Sequence, residues 1–103
     1  WLENFAIAEV KTLVELFDPS IQLWFWRTLA GAEVDLLVER GARLLPVEIK
    51  WSSRPTRSEC KGLETFLIDL KPRAPFGLVA CGTREPFLVT DRVVAVPLSW
   101  LLI

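Results

Sequence analysis

The segment from Gly31 to Lys50 constrains this chain more than any other. Residues from Glu33 to Glu39 and from Arg43 to Lys50 read as two neighbouring strands, in which every second side chain shares a face. A turn with Gly41-Ala42 as its two central residues closes these strands into a hairpin and pairs Arg40 with Arg43. The same register puts Asp35 opposite Glu48, with Cβ atoms roughly 5 Å apart. Directly opposed carboxylates are unfavourable without a cation between them. Lys50 follows Glu48 by two residues and projects to the same side of its strand. Two facing carboxylates beside a lysine are equipped to hold a hard divalent cation and to activate a water against a phosphodiester.

In this register Glu33, Asp35, Leu37 and Glu39 share one face of the first strand, and Val34, Leu36 and Val38 the other. On the second strand Glu48 and Lys50 lie opposite to Val47 and Ile49. Pro46 has no N–H for a ladder, which predicts an edge position or a bulge just before the Glu48-Ile49-Lys50 triplet.

The flanking segments read as helices and strands in alternation. Residues 1–17 show an amphipathic helical pattern, with Leu2, Phe5, Leu13 and Leu16 on one face and Asn4, Lys11 and Glu15 opposite. Glu9 falls within the apolar arc, where a carboxylate needs a partner, a metal or a proton. Glu3 lies beside that arc. Asp18-Pro19-Ser20 ends the helix, Ile21 to Arg27 is a strand, and Thr28 to Gly31 is a turn. After a loop from Trp51 to Pro55, Thr56-Arg57-Ser58-Glu59 is a capping-box pattern opening a second helix. The inward stripe of that helix is Cys60, Leu63, Phe66, Leu67 and Leu70, and Pro72 closes it. Strands follow at Phe76 to Cys81, Phe87 to Thr90 and Val93 to Val96, with a turn over Gly82 to Pro86. Pro97 to Ile103 resembles the first turns of a last helix. The expected fold is a single α/β domain over residues 1–103, a mixed sheet flanked by helices.

Composition narrows the function classes. The chain has no histidine, which excludes His-based acid/base chemistry, Cys/His zinc sites and a Ser-His-Asp triad. It has no methionine and begins within a helical pattern, so it reads as a fragment of a longer polypeptide. Cys60 and Cys81 lack metal or redox spacing and read as buried thiols of a reducing, cytoplasmic environment. No apolar run reaches the roughly 18 residues of a membrane span. A hydrophobic fraction of 51% is high for so small a domain and suits an apolar face meeting another domain or a second copy. The net charge of −1 gives no hint of a polyanion, but its distribution does. Residues 1–48 carry eight acidic and four basic side chains, whereas residues 49–73 carry three acidic and six basic: Lys50, Arg54, Arg57, Lys61, Lys71 and Arg73. A basic margin next to an acidic pocket suits a phosphate backbone.

Hydrolysis at a metal requires oxygen ligands that leave coordination positions open. Asp35, Glu48 and the backbone carbonyl of Ile49 form such a set for Mg²⁺ or Mn²⁺. Lys50 is placed to orient the water or to stabilise charge developing on the phosphate. Glu3 or Glu9 could add a carboxylate from the first helix. Trp24, Trp26 and Trp51 have faces on which bases could stack, though core or interface packing is the favoured reading for each.

The order of these elements resembles the PD-(D/E)xK nuclease superfamily, which includes type II restriction enzymes and Holliday junction resolvases. More closely, Leu2-Glu3-Asn4-Phe5, Trp26-Arg27-Thr28, Gly31-Ala32-Glu33-Val34-Asp35 and Pro46-Val47-Glu48-Ile49-Lys50 resemble the uncharacterised domain at the carboxy-terminal end of many prokaryotic AAA-type ATPases. The resemblance covers nearly the whole chain. It implies a restriction-endonuclease-like α-β-β-β-α-β core, with Asp35, Glu48, Lys50 and the helix carboxylate Glu3 as metal-binding and catalytic residues. Glu9 also matches the helix pattern and stays a second metal-binding candidate. Val34 stands where the superfamily's name has proline. The activity implied is Mg²⁺- or Mn²⁺-dependent cleavage of DNA, in a domain downstream of an ATPase module and often dimeric. The alternative is a nuclease-fold module without catalysis that docks, dimerises or grips nucleic acid. No Gly-x-x-x-x-Gly-Lys-Ser/Thr loop occurs, so no ATP hydrolysis is expected of these residues themselves.

Overall fold

In the computed structural model, residues 16, 18–29 and 32–101 are described, the side chains of 26–29, 32 and 33 excepted. Six strands form one mixed sheet: β1 (Gln22–Leu29), β2 (Ala32–Arg40), β3 (Arg43–Ile49), β4 (Gly77–Cys81), β5 (Phe87–Leu88) and β6 (Val93–Pro97). Their spatial order is β1-β2-β3-β4-β6-β5. The pairs β1–β2, β2–β3 and β5–β6 are antiparallel, and β3–β4 and β4–β6 are parallel. A helix, α1 (Lys61–Asp69), crosses between the parallel strands β3 and β4, a connection that two parallel neighbours require.

The hairpin register is the expected one, with Arg40 paired to Arg43 and the pairing running to Leu36 and Val47. Gly41 supplies the positive φ of 60° that the tight turn demands. The first hairpin differs from expectation. β1 continues through Thr28 to Leu29, which pairs with Ala32, so the turn is shorter than the span from Thr28 to Gly31.

The sheet separates two apolar clusters. On one side α1 packs Leu63, Phe66 and Leu67 against Leu37, Leu44, Val79, Cys81, Val93 and Ala95, with Cys60 beside them and Leu70 partly buried. The i, i+3, i+4 spacing of the three helix residues explains the contact, and full burial of each contributes roughly 1.5–3 kcal/mol. On the other side Leu36, Val47, Ile49, Ala80 and Val96 cluster with Leu98 and Leu101. Those last residues belong to a 3-10 turn over Leu98–Leu101, within the span from Pro97 to Ile103 where the sequence predicted the first turns of a last helix; residues 102 and 103 lie outside the described residues. Val34 packs with the α1-side cluster although Leu36 lies in the opposite one, so strict alternation breaks next to Asp35. Leu16, assigned to the apolar face of the first helix, is helical and 70% exposed.

Pro46 is not at an edge. It lies in β3, an interior strand, pairs with Leu37 and is almost completely buried. The backbone directions explain why it is tolerated. N–H groups alternate sides along a strand, and those of Leu44 and Lys50 point towards β4, donating to Arg73 O at 2.8 Å and Ala80 O at 2.9 Å. Pro46 shares their parity, but pairing with β4 begins only at Val47. The missing donor therefore removes no bond from the β2–β3 ladder.

Candidate metal and phosphodiester site

β3, β4 and β6 run parallel, so their carboxyl ends share one edge of the sheet, the edge where ligands collect in open α/β folds. Glu48, Ile49 and Lys50 end β3 there, and Asp35 lies at the adjoining end of β2. The start of α1 reaches the same edge, because the connection from β3 leads directly into it.

The β2–β3 pairing stops at Leu36–Val47, one position short of Asp35 and Glu48. In a continuing ladder the Ile49 N–H would donate to a main-chain carbonyl of β2. Instead it donates to Asp35 Oδ2 at 2.7 Å. The Asp35 carboxylate thus caps the end of the ladder, a use that the expected register did not reveal. Glu48, flanked by Val47 and Ile49 of the opposite cluster, faces the side covered by α1. Glu48 Oε1 and Lys50 Nζ form an ion pair at 3.3 Å, with side chains 21% and 24% exposed. The structure therefore brings Asp35, Glu48, Ile49 and Lys50 together at one strand end. Glu3 and Glu9 lie outside the described residues.

Electrostatics connect this strand end to the start of the helix. The buried thiol of Cys60 is pushed up to about 11, chiefly by loss of solvation and further by the negative charge of Glu48. Glu59 is held below the ordinary carboxylate value by the N–H and hydroxyl of Thr56, with a smaller contribution from Lys50. That capping box has formed: Thr56 N–H donates to Glu59 Oε1 at 3.0 Å, and Glu59 N–H donates to Thr56 Oγ1 at 3.3 Å. Its first turn is 3-10, over Ser58–Cys60, before α1 begins.

The basic margin divides in two. Arg73 is a clamp on the hairpin, donating to Ala42 O at 3.0 Å and pairing with Glu39 at 3.2 Å. Arg54 stacks over the Phe87 ring at 4.4 Å, while Arg57 and Lys61 line a cleft of about 500 Å³ with Ser58, Glu64, Thr90 and Asp91. Sequence reasoning missed the floor of this cleft, where the Thr90 hydroxyl donates to Glu64 and accepts from the N–H groups of Arg92 and Val93. Glu64 and Thr90 are far apart in the chain, and no local pattern links them.

Carboxylate oxygens and a main-chain carbonyl are donors suited to a hard cation rather than a soft one. Asp35 and Glu48 offer that chemistry from adjacent strands, which fits Mg²⁺ or Mn²⁺. Among the described residues, no group of three or more Asp, Glu or Cys side chains is placed to hold a metal.

Residues 1–101 match the family described as "Domain of unknown function (DUF4143)". The chain belongs to the DUF4143 family. It is also 37% identical over 93 residues to an uncharacterized protein of Mycobacterium bovis, and to the same extent to one of Mycobacterium tuberculosis. Each alignment covers 90% of this chain and 20% of the relative, so this DUF4143 chain spans about a fifth of the length of the curated relatives it matches.

Proposed function

We propose that this DUF4143 chain is a restriction-endonuclease-like domain that hydrolyses DNA phosphodiesters with Mg²⁺ or Mn²⁺, carboxy-terminal to an ATPase module. The observation that carries the reading is the convergence of Asp35, Glu48, Ile49 and Lys50 at the edge where β2 and β3 part. Asp35, Glu48 and the Ile49 carbonyl would hold the cation, with Glu3 or Glu9 as the carboxylate from the first helix. Bound there, the cation would supply Lewis acidity and lower the pKa of a water. Lys50 is close enough to Glu48 to share its charge in the resting site and to turn its ammonium to a phosphate oxygen. The carboxyl end of β3 and the adjoining first half of β2 hold these groups on a rigid sheet, as a reactive site requires. The length of the relatives leaves ample chain for an upstream module, and the apolar composition suits a homodimer.

A second reading has its own observation. The hydrogen bond from Ile49 to Asp35 and the ion pair between Glu48 and Lys50 already engage the three side chains. A nuclease-fold module that only docks or binds nucleic acid would use them in this structural way. Calorimetric titration of Mn²⁺ into wild type, Asp35→Asn and Glu48→Gln separates the two, beside cleavage of supercoiled and linear DNA. Saturable binding and cleavage lost in both variants support the enzyme; the absence of either in wild type supports the docking module.

A further inference from the structure

We infer that Trp51 is a stacking platform for an unpaired nucleobase, and that the chain engages single-stranded or locally unpaired DNA rather than uninterrupted duplex. The inference rests on the nucleic-acid reading proposed above and adds to it a substrate form and a residue.

Trp51 follows Lys50 directly, at the carboxyl end of β3 where the candidate phosphodiester site lies. It is 63% exposed and belongs to neither apolar cluster, so core packing does not account for it. Its backbone is nevertheless fixed on both sides. Lys50 N–H donates to Ala80 O at 2.9 Å, and Gly82 N–H donates to Ser52 O at 3.0 Å. Gly82 lies against this loop, where a Cβ would make ordinary van der Waals contact with the Trp51 carbonyl oxygen at 3.4 Å and that of Ser52 at 3.6 Å. A large apolar side chain is thus held in water on a pinned main chain, with little ordering cost left for a ligand to meet.

The surroundings select the ligand. Arg54, Arg57 and Lys61 follow within the next turns of chain, and among the described residues none of the three forms an ion pair. Cations that closely follow an exposed aromatic residue in the chain, Arg54 stacked on Phe87 and Arg57 and Lys61 lining the cleft, are a combination that grips a single strand: phosphates on the charges, a base on the ring. A base within a duplex has both faces covered by its neighbours and offers no such contact. A protein partner would be met by apolar neighbours, whereas Ser52, Ser53 and Arg54 beside the indole are polar and exposed.

The test measures binding of a fluorescein-labelled oligothymidylate of about 16 nucleotides, and of a duplex of equal length, to the full chain by anisotropy. EDTA is present throughout, so neither metal binding nor cleavage affects the result. Wild type is expected to prefer the single strand. Trp51→Ala should weaken that binding roughly tenfold and leave duplex binding unchanged, while Trp51→Phe, which keeps an aromatic face, stays near wild type. Circular dichroism confirms that the variants are folded, as exposure of the side chain predicts. Trp51→Ala binding the single strand as tightly as wild type overturns the inference while leaving the nuclease reading intact, and assigns the indole to a protein contact. Equal losses for single strand and duplex overturn it too. Wild type binding neither oligonucleotide overturns the inference together with the reading beneath it.

Discussion

Replacing Asp35 separates its structural use from its use as a ligand. Its Oδ2 accepts from Ile49 N–H at 2.7 Å, and Ile49 is 6% exposed. In Asp35→Ala that N–H loses its acceptor where water has little access. An unsatisfied buried donor costs about 1–3 kcal/mol. For a domain of roughly 100 residues each kcal/mol is about 4–8 °C in Tm, so a fall of about 4–24 °C is expected. Asp35→Asn keeps a carbonyl oxygen of the same reach. It gives up only the charge-assisted part of the bond, about 1 kcal/mol.

The assay is urea unfolding followed by far-ultraviolet circular dichroism in metal-free buffer, for wild type and both variants. Asp35→Ala should lie clearly below Asp35→Asn, with Asp35→Asn near wild type. Adding Mn²⁺ then reports the other role. A cation held by the folded state adds about 2.7 kcal/mol when its free concentration is a hundredfold above Kd. Wild type should gain that stability and Asp35→Asn should not. Equal stability of Asp35→Ala and Asp35→Asn without metal would refute the capping role. An equal gain with metal in wild type and Asp35→Asn would refute the ligand role.

Two further outcomes follow from the same geometry. Gly41→Ala should lower stability by about 1–2 kcal/mol, because a Cβ is strained at the φ of 60° although nothing crowds it, and urea midpoints read this directly. The second concerns alkaline pH. The Cys60 thiol is raised from an ordinary value of 9.0 to about 11, so the unfolded thiol ionises first. Its contribution is complete below pH 9 and is lost as pH rises through about 11, a change of at most about 3 kcal/mol. Unfolding midpoints of wild type should fall across that window more steeply than those of Cys60→Ala; parallel curves would refute the assignment.

The parts of the fold legible in the sequence were those set by neighbours in the chain. Gly41-Ala42 fixes the turn, and the turn fixes which residues pair, so Arg40 opposite Arg43 could be read directly. The stripe Cys60, Leu63, Phe66, Leu67 and Leu70 depends only on helical spacing, and all five pack on the α1 side of the sheet. What could not be read depends on where pairing begins and ends. Alternation assigns Val34 and Leu36 to one face, yet the strand end lets Val34 turn into the other cluster. Proline suggested an edge at position 46, because a sequence does not reveal that β4 pairs with β3 only from Val47 onward. Core or interface packing was the favoured reading of Trp51, and only the loop geometry shows that its indole is outside the core.

The same limits explain why the candidate site sits where it does. β3 is the strand at which the sheet changes from antiparallel to parallel pairing. At its carboxyl end it remains bonded to β4 through Lys50 N–H, while on the other side the ladder to β2 has ended. A strand held on one side and released on the other leaves polar main-chain groups that need partners. Asp35 supplies one with its carboxylate. In extended backbone the carbonyl of a residue points to the same side as its N–H, so Ile49 directs its oxygen into the opening that Asp35 borders. The carboxylate that accepts from the Ile49 N–H therefore borders the side to which the Ile49 carbonyl also points. Structural necessity and ligand geometry coincide at Asp35, whereas Glu48 and Lys50 are not needed to cap the ladder. This asymmetry means that loss of function without loss of fold is to be sought at Glu48, at Lys50 and in Asp35→Asn, and that stability and function fall together at Asp35→Ala.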